Sequence, residues 1–143
     1  MSKEADFVLS VINKTKYLLI RNGKIGFSFS ELQYLVGCSR SKIYQYFRSK
    51  NEIYRILLWN EIRILYELIA NEFDIDSSSV SKNELIVRFL IVKSKFLVNN
   101  VLLSYYYLHS GSINKLIGLK DQEVIDYEII LLQGFIEQIG YRK

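Results

Sequence analysis

Residues 40–47, RSKIYQYF, hold the densest set of side chains suited to recognition chemistry. Read as a short helix, the segment turns Ile43 and Phe47, four residues apart, to one face. Arg40, Ser41, Lys42, Gln45 and Tyr46 are expected on the other. Arginine and lysine donate to guanine O6 and N7, glutamine pairs with an adenine edge, and serine and tyrosine hydroxyls reach phosphates. Catalytic chemistry is poorly served by comparison. The chain has one His and one Cys. It has no glycine-rich phosphate loop, no Gly-x-Ser-x-Gly, no His-Glu-x-x-His and no partner for a Cys/His dyad. With so few His and Cys there is no ordinary zinc site and no intrachain disulfide. No enzyme, cofactor or metal is expected.

The charge is placed to match. The 143 residues carry a net +4, but residues 1–60 hold ten Lys or Arg against Glu4, Asp6, Glu31 and Glu52. Residues 61–143 hold nine basic residues against eleven acidic ones. A basic first part beside a mildly acidic remainder fits a polyanion partner for the first part. A solvated basic face with no partner would have the same composition, so charge does not decide the matter alone.

The elements that position residues 40–47 read as helical throughout. There is no proline and half the residues are hydrophobic, which suits helices and excludes global disorder. Phe7, Val8, Val11, Ile12, Leu18 and Leu19 recur at helical spacing over residues 4–21, with Gly23 as C-cap. Ser28 or Ser30 caps a short second helix with Leu32, Leu35 and Val36 inward. Residues 37–39 make a turn, where Gly37 tolerates positive φ. Ser49 and Glu52 have capping-box spacing at the start of a long fourth helix, to about residue 73, bearing Ile53, Ile56, Leu57, Ile64, Leu65, Leu68 and Ile69. Ser77, Ser78 and Ser79 mark a linker. A second capping box, Ser81 with Glu84, opens a helix that bends or breaks at Asn99 or Asn100 before residues 101–108. Residues 111–118 form a loop or a short turn, and Asp121 can cap a last helix to about residue 139. Trp59 is a core anchor, His109 a core or interface residue, Cys38 a small buried hydrophobe. Glu123, Asp126, Glu128 and Glu137 are read as a solvated face.

Residues 27–54, FSFSELQYLVGCSRSKIYQYFRSKNEIY, thus form a helix, a three-residue turn and a second helix. Gly37-Cys38-Ser39, Ile43-Tyr44-Gln45-Tyr46-Phe47 and Ser49-Lys50-Asn51-Glu52-Ile53 resemble the corresponding turn, recognition helix and fourth-helix start of TetR/AcrR-type transcriptional regulators. Gly23 falls where that family ends its first helix. The likeness covers roughly residues 5–68. It implies an all-α fold in which a three-helix helix-turn-helix head, residues 1–48, is joined by the long fourth helix to a short C-terminal helical bundle within residues 49–143. It implies double-stranded DNA as partner, read by Ser28, Ser39, Arg40, Ser41, Lys42, Tyr44, Gln45, Tyr46 and Lys50. Tyr44 and Tyr46 would meet phosphates. Lys50 would meet one beside the free amides of the fourth helix. Gln33 stands where the family has a small residue, so its side chain must lie outward or the helix crossing must shift.

The expected protein is therefore a homodimeric regulator, a repressor on a palindromic operator. Its seam is expected in residues 101–108 and 121–139, through Leu119, Val124, Ile125, Ile129, Leu132 and Ile136. A small-molecule effector is a further implication of the resemblance, with a pocket that is small, rebuilt at a dimer interface or missing, because the chain is short. The alternative is a helix-turn-helix-derived module that binds proteins and does not read DNA. Residues 1–6 lack the basic start and apolar run of a signal peptide, and the uncharged stretch 96–114 is too polar for a span. A cytoplasmic location without membrane is expected.

Overall fold

The computed structural model describes residues 2–23, 25–74, 81–108 and 121–140. Among them are seven α-helices and no strand: α1 (Lys3–Asn22), α2 (Phe29–Val36), α3 (Arg40–Tyr46), α4 (Lys50–Asp74), α5 (Lys82–Val98), α6 (Val101–Leu108) and α7 (Asp121–Gly140). The fold is all-α. The Ser77–Ser79 run, His109, residues 111–118 and Leu119 lie outside the described residues, as do the side chains of Val124 and Ile136. Among the described residues no helix is long and apolar enough to cross a membrane.

Local chemistry explains the boundaries. Ser2, Ser28, Ser39 and Ser81 each accept a backbone N–H from the first turn of the helix they precede. These side chains replace partners that the open helix end lacks. Ser49 Oγ likewise accepts the Glu52 N–H at 3.3 Å. Gly23 and Gly37 end α1 and α2 with φ of 67° and 77°, a region that costs an L-residue about 1–2 kcal/mol. A Cβ on Gly37 would meet nothing within 4 Å, so Gly37→Ala carries the backbone cost alone. It should lower stability in a denaturant titration by about 1 kcal/mol. An unchanged midpoint would show that the turn relaxes.

Alpha4 is the spine. It packs against α1, α5, α6 and α7, while α1 also meets α2 and α6. The buried cluster runs continuously from Val11 and Leu18 through Leu32, Ile43 and Phe47 to Ile53, Leu57, Leu65, Leu102 and Tyr106. Trp59 sits at its edge, with its ring 4.8 Å from Tyr127 in an edge contact that ties α4 to α7. The chain breaks between α5 and α6, where Asn100 is buried and its Nδ2 donates to the Phe96 carbonyl at 2.6 Å.

Three expectations, at Leu68, Glu128 and Cys38, are corrected. Leu68 is exposed, because the buried line of α4 runs through Ile62, Leu65 and Ile69 and leaves Leu68 to one side. Alpha6 buries Leu102, Leu103 and Tyr106 in its own chain and leaves Leu108 exposed at its end. Glu128 is half-buried, not solvated, and accepts the Tyr107 hydroxyl proton. Cys38 is only half-buried.

Candidate nucleic-acid interface

Alpha3 is held by two residues. Ile43 and Phe47 are fully buried and pin its inner face to the core. Ser39 fixes its start by accepting the Lys42 N–H at 3.2 Å. With those positions inward, helical geometry turns Arg40, Ser41, Lys42, Tyr44 and Gln45 to solvent, and all five are exposed. Phe47→Ala would remove the larger pin and should cost about 3–5 kcal/mol. The exposed Arg40→Ala should shift stability by less than about 0.5 kcal/mol. Thermal unfolding of the two variants checks this; equal losses would mean that α3 is not anchored through Phe47.

The cations are placed by aromatic rings. The Arg40 guanidinium carbon lies 4.6 Å from the Phe29 ring centroid and 5.7 Å from that of Tyr44. Those two rings are themselves 5.3 Å apart. Lys42 Nζ lies 5.1 Å from the Phe7 ring, and Phe7 stacks at 4.9 Å on Tyr46. Each contact is attractive and narrows the rotamers of a long side chain that still reaches solvent. Phe7 and Phe29 were not among the sequence candidates. Their aromatic character was visible, but Phe7 reads as a core position of α1 and Phe29 as the first residue of α2.

Tyr46 is half-buried rather than exposed, because its ring is taken by Phe7 of α1. Lys50 is half-buried as well. Its ammonium donates to the Phe27 carbonyl and lies 4.4 Å from the Phe27 ring. That contact ties the start of α4 to the segment before α2 and leaves two of the three ammonium donors for other partners. Ser28 is exposed, and its oxygen accepts from the Ser30 and Glu31 amides at 3.1 and 3.5 Å. The Ser28 and Ser39 hydroxyl protons are not used in these capping bonds. Gln33 is half-buried, and its backbone carbonyl accepts the Gly37 N–H at 2.8 Å.

The neighbouring carboxylate of α2 is neutralised in part, since Arg21 and Glu31 form an ion pair at 2.5 Å. Arg40, Lys42 and Arg48 remain exposed around α3. The face can therefore present two ring-supported cations, two cap hydroxyls, an amide and a tyrosine hydroxyl to an anionic partner.

A buried carboxylate lies elsewhere on the spine. Glu61 of α4 is 1% exposed, and its Oε2 accepts the Leu103 N–H at the start of α6 at 2.9 Å. Its Oε1 has no hydrogen-bond partner among the described residues. Burial pushes its pKa up to about 7, against the pull of Lys16 and the Leu103 amide. No sequence pattern singled it out, because a lone Glu in a charged helix reads as surface.

No family model, no curated protein and no solved structure matches this chain.

Proposed function

We propose that this chain is a sequence-specific DNA-binding transcriptional regulator, a cytoplasmic repressor that binds a palindromic operator as a homodimer. In this reading α1–α3 are a helix-turn-helix head, α3 enters the major groove, and α4 links the head to a C-terminal bundle. The observation that carries the reading is the outward edge of α3. Arg40 and Lys42 are exposed yet supported by Phe29 and Phe7, while Ile43 and Phe47 hold the opposite edge in the core. Preordered cations beside hydroxyl and amide groups suit a groove floor and its phosphate walls. Ser28, Ser39, Ser41, Tyr44, Tyr46 and Lys50 supply backbone contacts, and Arg40, Lys42 and Gln45 the base contacts. The resemblance to TetR/AcrR-type regulators adds repression by blocking polymerase, and a small-molecule inducer.

Selection of bound fragments from a random duplex pool, with the full chain, tests the reading. The expected outcome is an enriched palindrome with half-sites about 34–36 Å apart, or a multiple of that spacing. Uniform weak binding with no enriched sequence would overturn it and favour the protein-binding alternative.

A further inference from the structure

Two helices carry apolar faces that nothing in the described chain covers. On α5, Ile86, Val87, Leu90 and Ile91 are each 47–55% exposed, and Val98 extends the same side toward the helix end. At 100° per residue these positions form one stripe opposite Leu85, which is buried, and Phe89, which stacks toward Tyr66 of α4. The stripe continues into a groove of about 390 Å³ lined by Leu68, Ile91, Val92 and Phe96, with Arg88 and Lys95 on its wall. On α7, Ile125 and Ile129 are exposed one turn apart, and Ile130 is exposed farther round the helix, beyond Asp126. Their inward neighbour Tyr127 is the residue that meets Trp59. Patches of large aliphatic side chains on this scale mark contact surfaces.

The charges of the two helices are opposite. Alpha5 carries Lys82, Arg88, Lys93 and Lys95 against Glu84 alone. Alpha7 carries Asp121, Glu123, Asp126, Glu128 and Glu137 and no basic residue. On the helical wheel Lys95 borders one side of the α5 stripe, next to Arg88, which pairs with Glu84 at 3.0 Å, and Asp126 and Glu137 border the Ile125–Ile129 edge. Pairing α7 with another α7 would set carboxylates against carboxylates, and pairing α5 with α5 would set cations against cations.

We infer that a second copy of this chain covers both faces, the α7 edge of each copy lying along the α5 stripe of the other. The two contacts are equivalent by two-fold symmetry, so one interface buries both faces and closes the assembly. The inference rests on the homodimer reading, keeps the Ile125–Ile129 part of its seam and exchanges α6 for α5, since α6 turns Leu102, Leu103 and Tyr106 into its own chain and α7 repels itself. The basic rim of α5 over the acidic rim of α7 sets the pairing, and the aliphatic residues supply its affinity.

Charge reversal with mixing tests this. Full-length Lys95→Glu and Asp126→Lys are each examined alone and then mixed, with sedimentation equilibrium as readout and circular dichroism to check folding. In the symmetric pairing each single variant sets like charges together twice, and self-association should weaken about tenfold or more. The mixture restores an opposite pair at one contact and keeps the natural pair at the other, so it should recover dimers that neither variant forms alone. Leu90→Ser and Ile129→Ser, which remove apolar surface from the two sides, should each weaken the dimer about as strongly. A dimeric chain in which Lys95→Glu changes nothing, or in which mixing recovers nothing, overturns the α5–α7 pairing and leaves the homodimer reading intact. A chain that stays monomeric at all concentrations overturns both, and the duplex selection scores DNA binding independently of either.

Discussion

Raising the salt from 50 to 200 mM should lower affinity for the selected duplex about 10³- to 10⁵-fold, for a dimer that neutralises about six to ten phosphates. Gel shifts with the full chain measure this, and the side chains of the α3 face divide the effect. Lys50→Ala removes a cation at the start of α4 and should weaken binding to every sequence, with a shallower salt slope. Arg40→Ala and Lys42→Ala should each weaken binding and also change which bases are preferred. A lost base contact is worth about 1–3 kcal/mol, roughly 5- to 150-fold. Phe29→Leu keeps every charge but removes the ring 4.6 Å from the Arg40 guanidinium. It should reduce affinity while leaving the salt slope unchanged, because no counterion is released or retained differently. Tyr44→Phe keeps the second ring and removes only the hydroxyl, so a loss there isolates a phosphate contact. A flat salt dependence, or wild-type binding by both Arg40→Ala and Lys42→Ala, would sink the proposed function.

Stability should fall as pH rises from about 5 to 8, with Glu61 as the cause. Its carboxyl is pushed up to about 7 by burial, from an ordinary value of 4.5. An acid with a raised folded pKa binds a proton more tightly in the native state than in the unfolded chain. Its contribution is therefore complete below the unfolded pKa and is lost as pH rises through the folded one. The shift corresponds to roughly 3 kcal/mol between the two limits. Glu61→Gln keeps an oxygen for the Leu103 amide and abolishes the charge. It should melt with the wild type near pH 5 and several degrees above it at pH 8. Lys16 is the cation that opposes the burial effect. Lys16→Met should therefore raise the Glu61 pKa further and deepen the loss at pH 8. Thermal unfolding across this range decides the point. A wild-type melting temperature that rises with pH, or a Glu61→Gln profile parallel to it, would show that the carboxylate is accommodated without cost. Because Glu61 joins α4 to the start of α6 and senses Lys16 of α1, its proton is linked to the packing of all three helices.

The features legible in the residues were local ones. Ser28, Ser39, Ser49 and Ser81 cap helices because a serine oxygen satisfies amides two or three residues ahead, whatever lies farther off. Gly23 and Gly37 end helices because backbone sterics at positive φ depend on one residue. The pairing of Ile43 with Phe47 follows from helical periodicity, and of the outward set it implies, Arg40, Ser41, Lys42 and Gln45 are exposed while Tyr46 is half-buried. The break at Asn99 and Asn100 was likewise signalled by two residues that compete with helix hydrogen bonds.

What tertiary structure alone decided was the neighbour each face meets. Periodicity says that Tyr46 is off the buried line of α3, but only the approach of α1 gives its ring to Phe7. Lys50 looks like a free cation until the Phe27 carbonyl arrives beside it. Glu61 is one carboxylate among many in the sequence, and becomes a buried helix cap only when α6 starts against α4. Tyr107 and Glu128, twenty-one residues apart, become partners because α6 and α7 meet. A helix fixes directions around its own axis from sequence spacing of three and four residues. Contacts across tens of residues depend on how whole helices pack, a balance of many small terms that no short segment contains.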